Sequence, residues 1–172
     1  MNALSTKNFF PPNHTVINHL LDAGMGSPCA KSKRGVMIAT WQFDAVDDRY
    51  LAALYTTGYN APPPGVSCTG SAECRSNCRH TCSHAEVSAA VNLAESDVPF
   101  DVDTLTLYHT KVSDGKMIPT GGPSCVPCAT SLRTFTDIQA VWLYQNRNDV
   151  GETAYGRRTA LIDHPSNHPD GI

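Results

Sequence analysis

Apolar residues Val16, Ile17, Leu20 and Leu21 fall at helical spacing between a start at Asn13 or Thr15 and a stop at Gly24, which predicts an opening helix over 13–24. The pattern then shortens. Arg34-Gly35-Val36-Met37-Ile38-Ala39-Thr40-Trp41 is an apolar run behind a basic turn, and Tyr50 to Tyr59 is a second run. These predict two neighbouring strands joined as a hairpin. Gly58-Tyr59-Asn60-Ala61-Pro62-Pro63-Pro64-Gly65 ends the second run and opens a long, non-repetitive loop that carries Cys68, Cys74, Cys78 and Cys82 up to His84. From His84 to about Glu95, Val87, Ala90, Val91 and Ala94 recur at i, i+3, i+4 and i+7, the clearest helical stripe in the chain. Thr104 to Tyr108 alternates like a strand, a Gly- and Pro-rich loop leads to Cys125, a helix continues to about Phe135, and Ile138 to Tyr144 reads as a further strand. Alternating strands and helices predict an α/β fold with helices on the faces of a sheet. After Asn146 the pattern decays, and 163–172 reads as a loose tail.

Length and composition narrow the class. A chain of 172 residues and 18.5 kDa fits one domain over 1–172, with a core over about 13–146. An apolar fraction of 41% and a charged fraction of 17% exclude a disordered or fibrous class. A net charge of −3 and a pI near 6.1 provide no basic stripe for nucleic acid and direct attention to a small-molecule substrate. The chain holds no apolar run of membrane-spanning length and no signal-peptide core, so a cytoplasmic protein without a membrane partner is expected. In a reducing compartment the clustered cysteines beside His read as metal ligands rather than disulfides. Trp41 and Trp142 read as core residues, His109, His164 and His168 as surface or loop residues, and Lys31, Lys33 and Arg34 as a solvated basic turn.

The candidate chemistry lies in His84-Ala85-Glu86 and Cys125-Val126-Pro127-Cys128. A structural zinc takes four protein ligands, whereas a catalytic one takes three and leaves a position to water. One imidazole and two thiols supply three, and Glu86 is a spare carboxylate. Cys125 and Cys128 are three apart, so both thiols face one point at the first turn of a helix. His84 and Glu86, two apart, converge only if His84 precedes regular helical geometry. Both pairs are therefore expected at helix N-termini, where the helix dipole favours thiolate. Zinc with two thiolates and a neutral imidazole sums to about zero charge, so such a site activates water less than an all-histidine one. Glu86 becomes the candidate base: it takes a proton from the attacking water, passes it to a ring nitrogen of an aminopyrimidine, and later protonates the departing amine.

His-x-Glu followed by Cys-x-x-Cys resembles the signature of zinc nucleobase deaminases. Cys82-Ser83-His84-Ala85-Glu86, Gly58-Tyr59-Asn60-Ala61-Pro62-Pro63-Pro64-Gly65 and Pro123-Ser124-Cys125-Val126-Pro127-Cys128-Ala129 resemble, more narrowly, the deoxycytidylate (dCMP) deaminase family, over about residues 16–145. The resemblance implies a three-layer α/β/α cytidine deaminase-like fold with a mixed five-stranded sheet and hydrolysis of dCMP to dUMP and ammonia. It implies His84, Cys125 and Cys128 as zinc ligands, Glu86 as proton shuttle, and Asn60 and Ala85 beside the nucleotide. It also implies a homo-oligomer, a hexamer in many members, with dCTP and dTTP as effectors. Three departures stand out: Ala61 where the family has Gly, Ser124 between Pro123 and Cys125, and a longer loop from Lys111 to Gly122. They leave a nucleoside, a 5-modified cytosine nucleotide, or a catalytically silent nucleotide-binding relative as alternatives. The intervals among Cys68, Cys74, Cys78 and Cys82 also suit a compact loop around one ion. Some similar deaminases carry a second, structural zinc, for which Cys29, Cys68, Cys74 and Cys78, with Cys82 or His80 as substitutes, are the expected ligands.

Overall fold

Helix α1 (His14–Gly26) buries Val16, Leu20 and Ala23 and leads into a hairpin of β1 (Lys33–Asp44) and β2 (Arg49–Tyr59), as the apolar pattern predicts. The structure, a computed structural model, describes residues 14–96, 105–120, 125–135, 140–143 and 157–160. The other edge of β1 pairs antiparallel with β3 (Thr106–Ser113), which runs parallel to β5 (Ala140–Leu143). β6 (Arg157–Ala160) pairs antiparallel with β5, so the sheet runs β2-β1-β3-β5-β6. It is mixed, as expected, but among the described residues it has six strands and not five, because β4 (Lys116–Ile118) folds back on β3.

The end of β3 and β4 correct the reading of 111–122 as loop over 111–118. Asp114 and Gly115 both adopt positive φ, 50° and 70°, the geometry of a two-residue hairpin turn whose twist matches the strands it joins. Asp-Gly there was a hairpin signal. β6 lies beyond the expected core; Arg-Arg-Thr-Ala has no apolar alternation, because an edge strand can be held by main-chain pairing alone.

Each face of the sheet carries its own core. Val16 and Leu20 of α1 pack with Met37, Ala39, Trp41 and Tyr108 on one side, so Trp41 is a core residue as expected. On the other side Val36, Ile38, Leu105 and Leu107 meet Ala85, Ala89, Ala90 and Leu93 of α3 (Ala85–Ala94) and Leu132 of α4 (Val126–Phe135). The layers are thus α/β/α. The apolar stripe of α3 is displaced from the one the sequence suggests: Val91 is 38% exposed, whereas Ala85, Ala89 and Leu93 are buried together with Glu86. Small residues face the sheet here because α3 lies so close to β2. A Cβ on Gly58 would come within 2.3 Å of the Ala89 nitrogen and 2.5 Å of the Ala85 oxygen, both unyielding main-chain atoms. Thr56 Oγ1 donates to Ala89 O at 3.0 Å and Asn92 Nδ2 to Thr57 O at 2.8 Å, which hold α3 along the strand.

The cysteine-bearing segment is also not a loop throughout. Ala72–Thr81 forms helix α2, whose N-cap Ser71 accepts a hydrogen bond from the Cys74 N–H. Apolar periodicity fails to reveal this helix because it is polar on nearly every side; the cap and the four-residue cysteine interval were its signals. The tail expected over 163–172, His164 and His168 within it, and the side chains of Trp142 and His80 lie outside the described residues.

Candidate metal and proton-transfer site

The end of β2 and the start of α3 are tied by the main chain. Ala61 N donates to Ser83 O at 3.1 Å and Ser83 N to Ala61 O at 2.9 Å, a single antiparallel bridge that places the next residue, His84, over the sheet. Ala61 takes part through its backbone alone. His84 then occupies the N-cap of α3 with extended backbone, φ −86° and ψ 150°, and its side chain makes no capping hydrogen bond. The imidazole is therefore available to turn outward from the helix, as the two-residue spacing to Glu86 requires. Cys125 stands one residue before α4 and Cys128 in its first turn, so both motif pairs do sit at helix N-termini.

The three expected ligands meet. His84 Nδ1 lies 3.0 Å from Cys128 Sγ and 3.3 Å from Cys125 Sγ, and the two sulfurs are 3.3 Å apart. Zinc bonds of about 2.3 Å to sulfur and about 2.0–2.1 Å to nitrogen put tetrahedral ligand atoms about 3.5–3.8 Å apart, so each edge need open by only a few tenths of an ångström. Among the described residues, these are the three His, Cys, Asp or Glu side chains whose ligand atoms all lie within 4.8 Å of one another. Their charge states suit a metal. The Cys128 thiol and the His84 ring favour a Cys125 thiolate against the effect of burial, and its proximity in turn raises His84. Cys128 is pushed up, first by Cys125 and then by burial and Glu86, so without an ion the pair releases one proton readily and the second only with difficulty. A divalent cation removes that conflict by allowing both thiols to ionise.

Glu86 is 3% exposed in the first turn of α3. Burial pushes its carboxyl upward, but His109, its own backbone N–H, Arg34 and His84 outweigh that and hold it below the usual carboxylate range. The ionised form of this buried carboxyl is thus favoured despite its dry setting. His109, expected at the surface or in a loop, is instead fully buried beside the candidate base, with Nδ1 3.8 Å from Glu86 Oε1 and Nε2 3.2 Å from Arg34 Nη1. Arg34, read as part of a solvated turn, instead lies within β1 and is partly buried. The signal was available in Leu105, Leu107 and His109, an alternating row whose last member breaks an apolar face.

Asn60 is buried at the end of β2. Its Oδ1 accepts from Ser27 Oγ at 3.0 Å and Arg34 N at 2.8 Å, while Nδ2 donates to Ser32 O at 2.8 Å. It clamps the segment that carries Arg34 into β1. The Ala85 side chain is committed to the core, which leaves only its main chain to meet a ligand.

The remaining cysteines gather in part. Cys68 Sγ lies 3.9 Å from Cys29 Sγ and 3.6 Å from Cys74 Sγ, and accepts from Ala30 N at 3.1 Å. That N–H chiefly, with the neighbouring thiols, brings Cys68 down to about 7 against the effect of burial. Burial and Cys82 push Cys78 up to about 12. None of the seven cysteines is disulfide-bonded. A cleft of about 340 Å³ between residues 62–69 and α2 is lined by Cys68, Cys74 and Cys82 and does not include His84, Glu86 or Cys125.

No family model matches the chain, and no curated protein matches it. Seven chains of solved structures do. One is a cytidine deaminase from Burkholderia pseudomallei, 19% identical, with a TM-score of 0.46 over 94% of this chain and 100% of that one. A likeness of that degree leaves the functional reading to the site's own residues. No helix among the described residues is long and apolar enough to cross a membrane.

Proposed function

We propose that the protein is a zinc-dependent hydrolase that deaminates a free cytosine nucleotide, dCMP foremost, to the uracil nucleotide and ammonia. The observation that carries this reading is the convergence of His84 Nδ1 with the Cys125 and Cys128 sulfurs at 3.0–3.3 Å, two residues from the buried, ionised Glu86. When bound, zinc supplies the Lewis acidity that makes water a nucleophile near neutral pH. Two thiolates and one imidazole cancel its charge, so the chain must provide a base. Glu86 takes one proton from the attacking water and delivers it to the ring nitrogen beside the amino-bearing carbon. It takes the second as the carbon–nitrogen bond breaks and gives it to the leaving amine, so ammonia departs and the carbon keeps the water oxygen as a carbonyl. Exclusion of bulk water around Glu86 favours these transfers over leakage.

Arg34 and Lys111 support a phosphate-bearing substrate. They stand opposite one another in the β1–β3 register, and alternation places Arg34 on the same sheet face as Val36 and Ile38, the face on which α3 lies. Burial, and then Arg34, hold Lys111 below the usual lysine range. Two cations crowded beside the site favour an anion there. Asn60 serves the substrate by fixing the segment before Arg34, and Ala85 through its main chain. A second, structural zinc on Cys29, Cys68, Cys74 and Cys78, with Cys82 or His80 as substitutes, draws support from the approach of the Cys68 sulfur to those of Cys29 and Cys74, although these three are not all within 4.8 Å of one another. Seven unpaired cysteines suit the reducing cytoplasm.

Ammonia release measured across dCMP, cytidine, deoxycytidine, dCTP, 5-methyl-dCMP and a short single-stranded oligonucleotide tests the substrate. The expected result is the highest kcat/KM for dCMP. Equal turnover of nucleoside and nucleotide would remove the phosphate argument, and preference for the oligonucleotide would replace the free-nucleotide reading.

A further inference from the structure

A fully buried imidazole needs polar partners, because burial without them is costly. His109 occupies the middle of the sheet, opposite Val36 of β1 and Leu143 of β5 in register. Its row begins with Leu105 and Leu107, which pack against α3, so its ring lies under the first turn of that helix, where Glu86 is. On its far side the ring meets Arg34 Nη1, 3.2 Å from Nε2.

The arginine decides the tautomer. A guanidinium only donates hydrogen bonds and does not lose its proton in proteins. Nε2 must therefore accept in the contact with Arg34, and the ring's one proton sits on Nδ1, the atom 3.8 Å from Glu86 Oε1, so that His109 acts on the carboxylate through its N–H dipole and not as a cation. That separation exceeds a hydrogen bond by about 0.8 Å, a gap of the kind that closes in the substrate complex of an enzyme whose free form is loosely set.

We propose that Arg34 and His109 form a positioning pair: Arg34 locks the His109 tautomer so that Nδ1–H is presented to Oε1 of Glu86 and holds that carboxylate in the orientation from which it exchanges protons with the substrate. In this arrangement His109 acts through Glu86 and not on the substrate itself. This rests on the deaminase reading, but the tautomer is a property of the resting protein.

Two measurements test the pair. Imidazole nitrogen-15 shifts of the wild-type protein, assigned with a His109→Gln control, are expected to show a neutral His109 ring protonated at Nδ1; protonation at Nε2 overturns the proposal. The two amide substitutions then separate positioning from packing. In His109→Asn the amide nitrogen takes the place of Nδ1 and keeps a donor toward Glu86. In His109→Gln the side chain instead keeps the acceptor for Arg34 and loses that donor. The expected result is a kcat about 10- to 100-fold lower in His109→Gln with KM and zinc content unchanged, and substantial recovery in His109→Asn. Equal kcat in the two variants at equal zinc content overturns the proposal. Should either variant fail to fold, the wild-type tautomer still decides. Absence of ammonia release from wild type would instead overturn the deaminase reading, with the nitrogen shifts reporting on the Arg34–His109 bond independently.

Discussion

Glu86→Gln keeps its zinc and releases ammonia roughly 10²–10⁴-fold more slowly than wild type, the range over which a positioned acid–base group contributes. The amide is close to the carboxylate in size, so the buried position in the first turn of α3 stays filled. What it lacks is a second basic oxygen to accept a proton and return it. Near-neutral site charge makes the deficit large, because a zinc whose charge is cancelled by two thiolates gives up a proton from water less readily than one held by neutral ligands. Zinc analysis and steady-state ammonia release on the same preparation check this. Unchanged turnover at full zinc content would remove Glu86 from the reaction.

Cys125→Ala loses the catalytic zinc itself, and with it all detectable turnover. Cys125 is the appropriate thiol to remove because it is only partly buried, whereas Cys128 is 2% exposed and its truncation would mix metal loss with a packing defect. The remaining imidazole and thiol form a two-ligand set, too few for a stable zinc site. With the proposed second site on Cys29, Cys68, Cys74 and Cys78, wild type is expected to hold two zinc ions per chain and the variant one. Metal analysis reads both numbers. One zinc in wild type and none in the variant would eliminate the second site and leave the first intact; an unchanged count would contradict the assignment of Cys125.

Much of this arrangement was legible in the chain because it depends on local rules. Hairpin β1–β2, the helices that start at His84 and after Cys125, and the meeting of imidazole and thiols follow from short-range spacing and helix-end geometry. What escaped depends on close packing or on polar surfaces. The buried side of α3 is set by the approach of Gly58 to Ala85 and Ala89, so alanines, not the larger valines, turn inward. Helix α2 exposes polar residues almost throughout and leaves no apolar trace. β4 hangs on an Asp-Gly turn, and β6 on edge pairing. His109 was missed for the opposite reason: a histidine in a strand looks unremarkable until the row it interrupts is seen to pass beneath Glu86.

The central claim is that water replaces the exocyclic amine of a cytosine nucleotide at the site formed by His84, Glu86, Cys125 and Cys128. Incubation of the zinc-loaded protein with dCMP in oxygen-18-enriched water, followed by mass analysis of the nucleotide and quantitation of ammonia, tests it directly. The account predicts dUMP carrying one heavy oxygen at the new ring carbonyl and one equivalent of ammonia; recovery of unchanged dCMP, or of dUMP without the label, would contradict it.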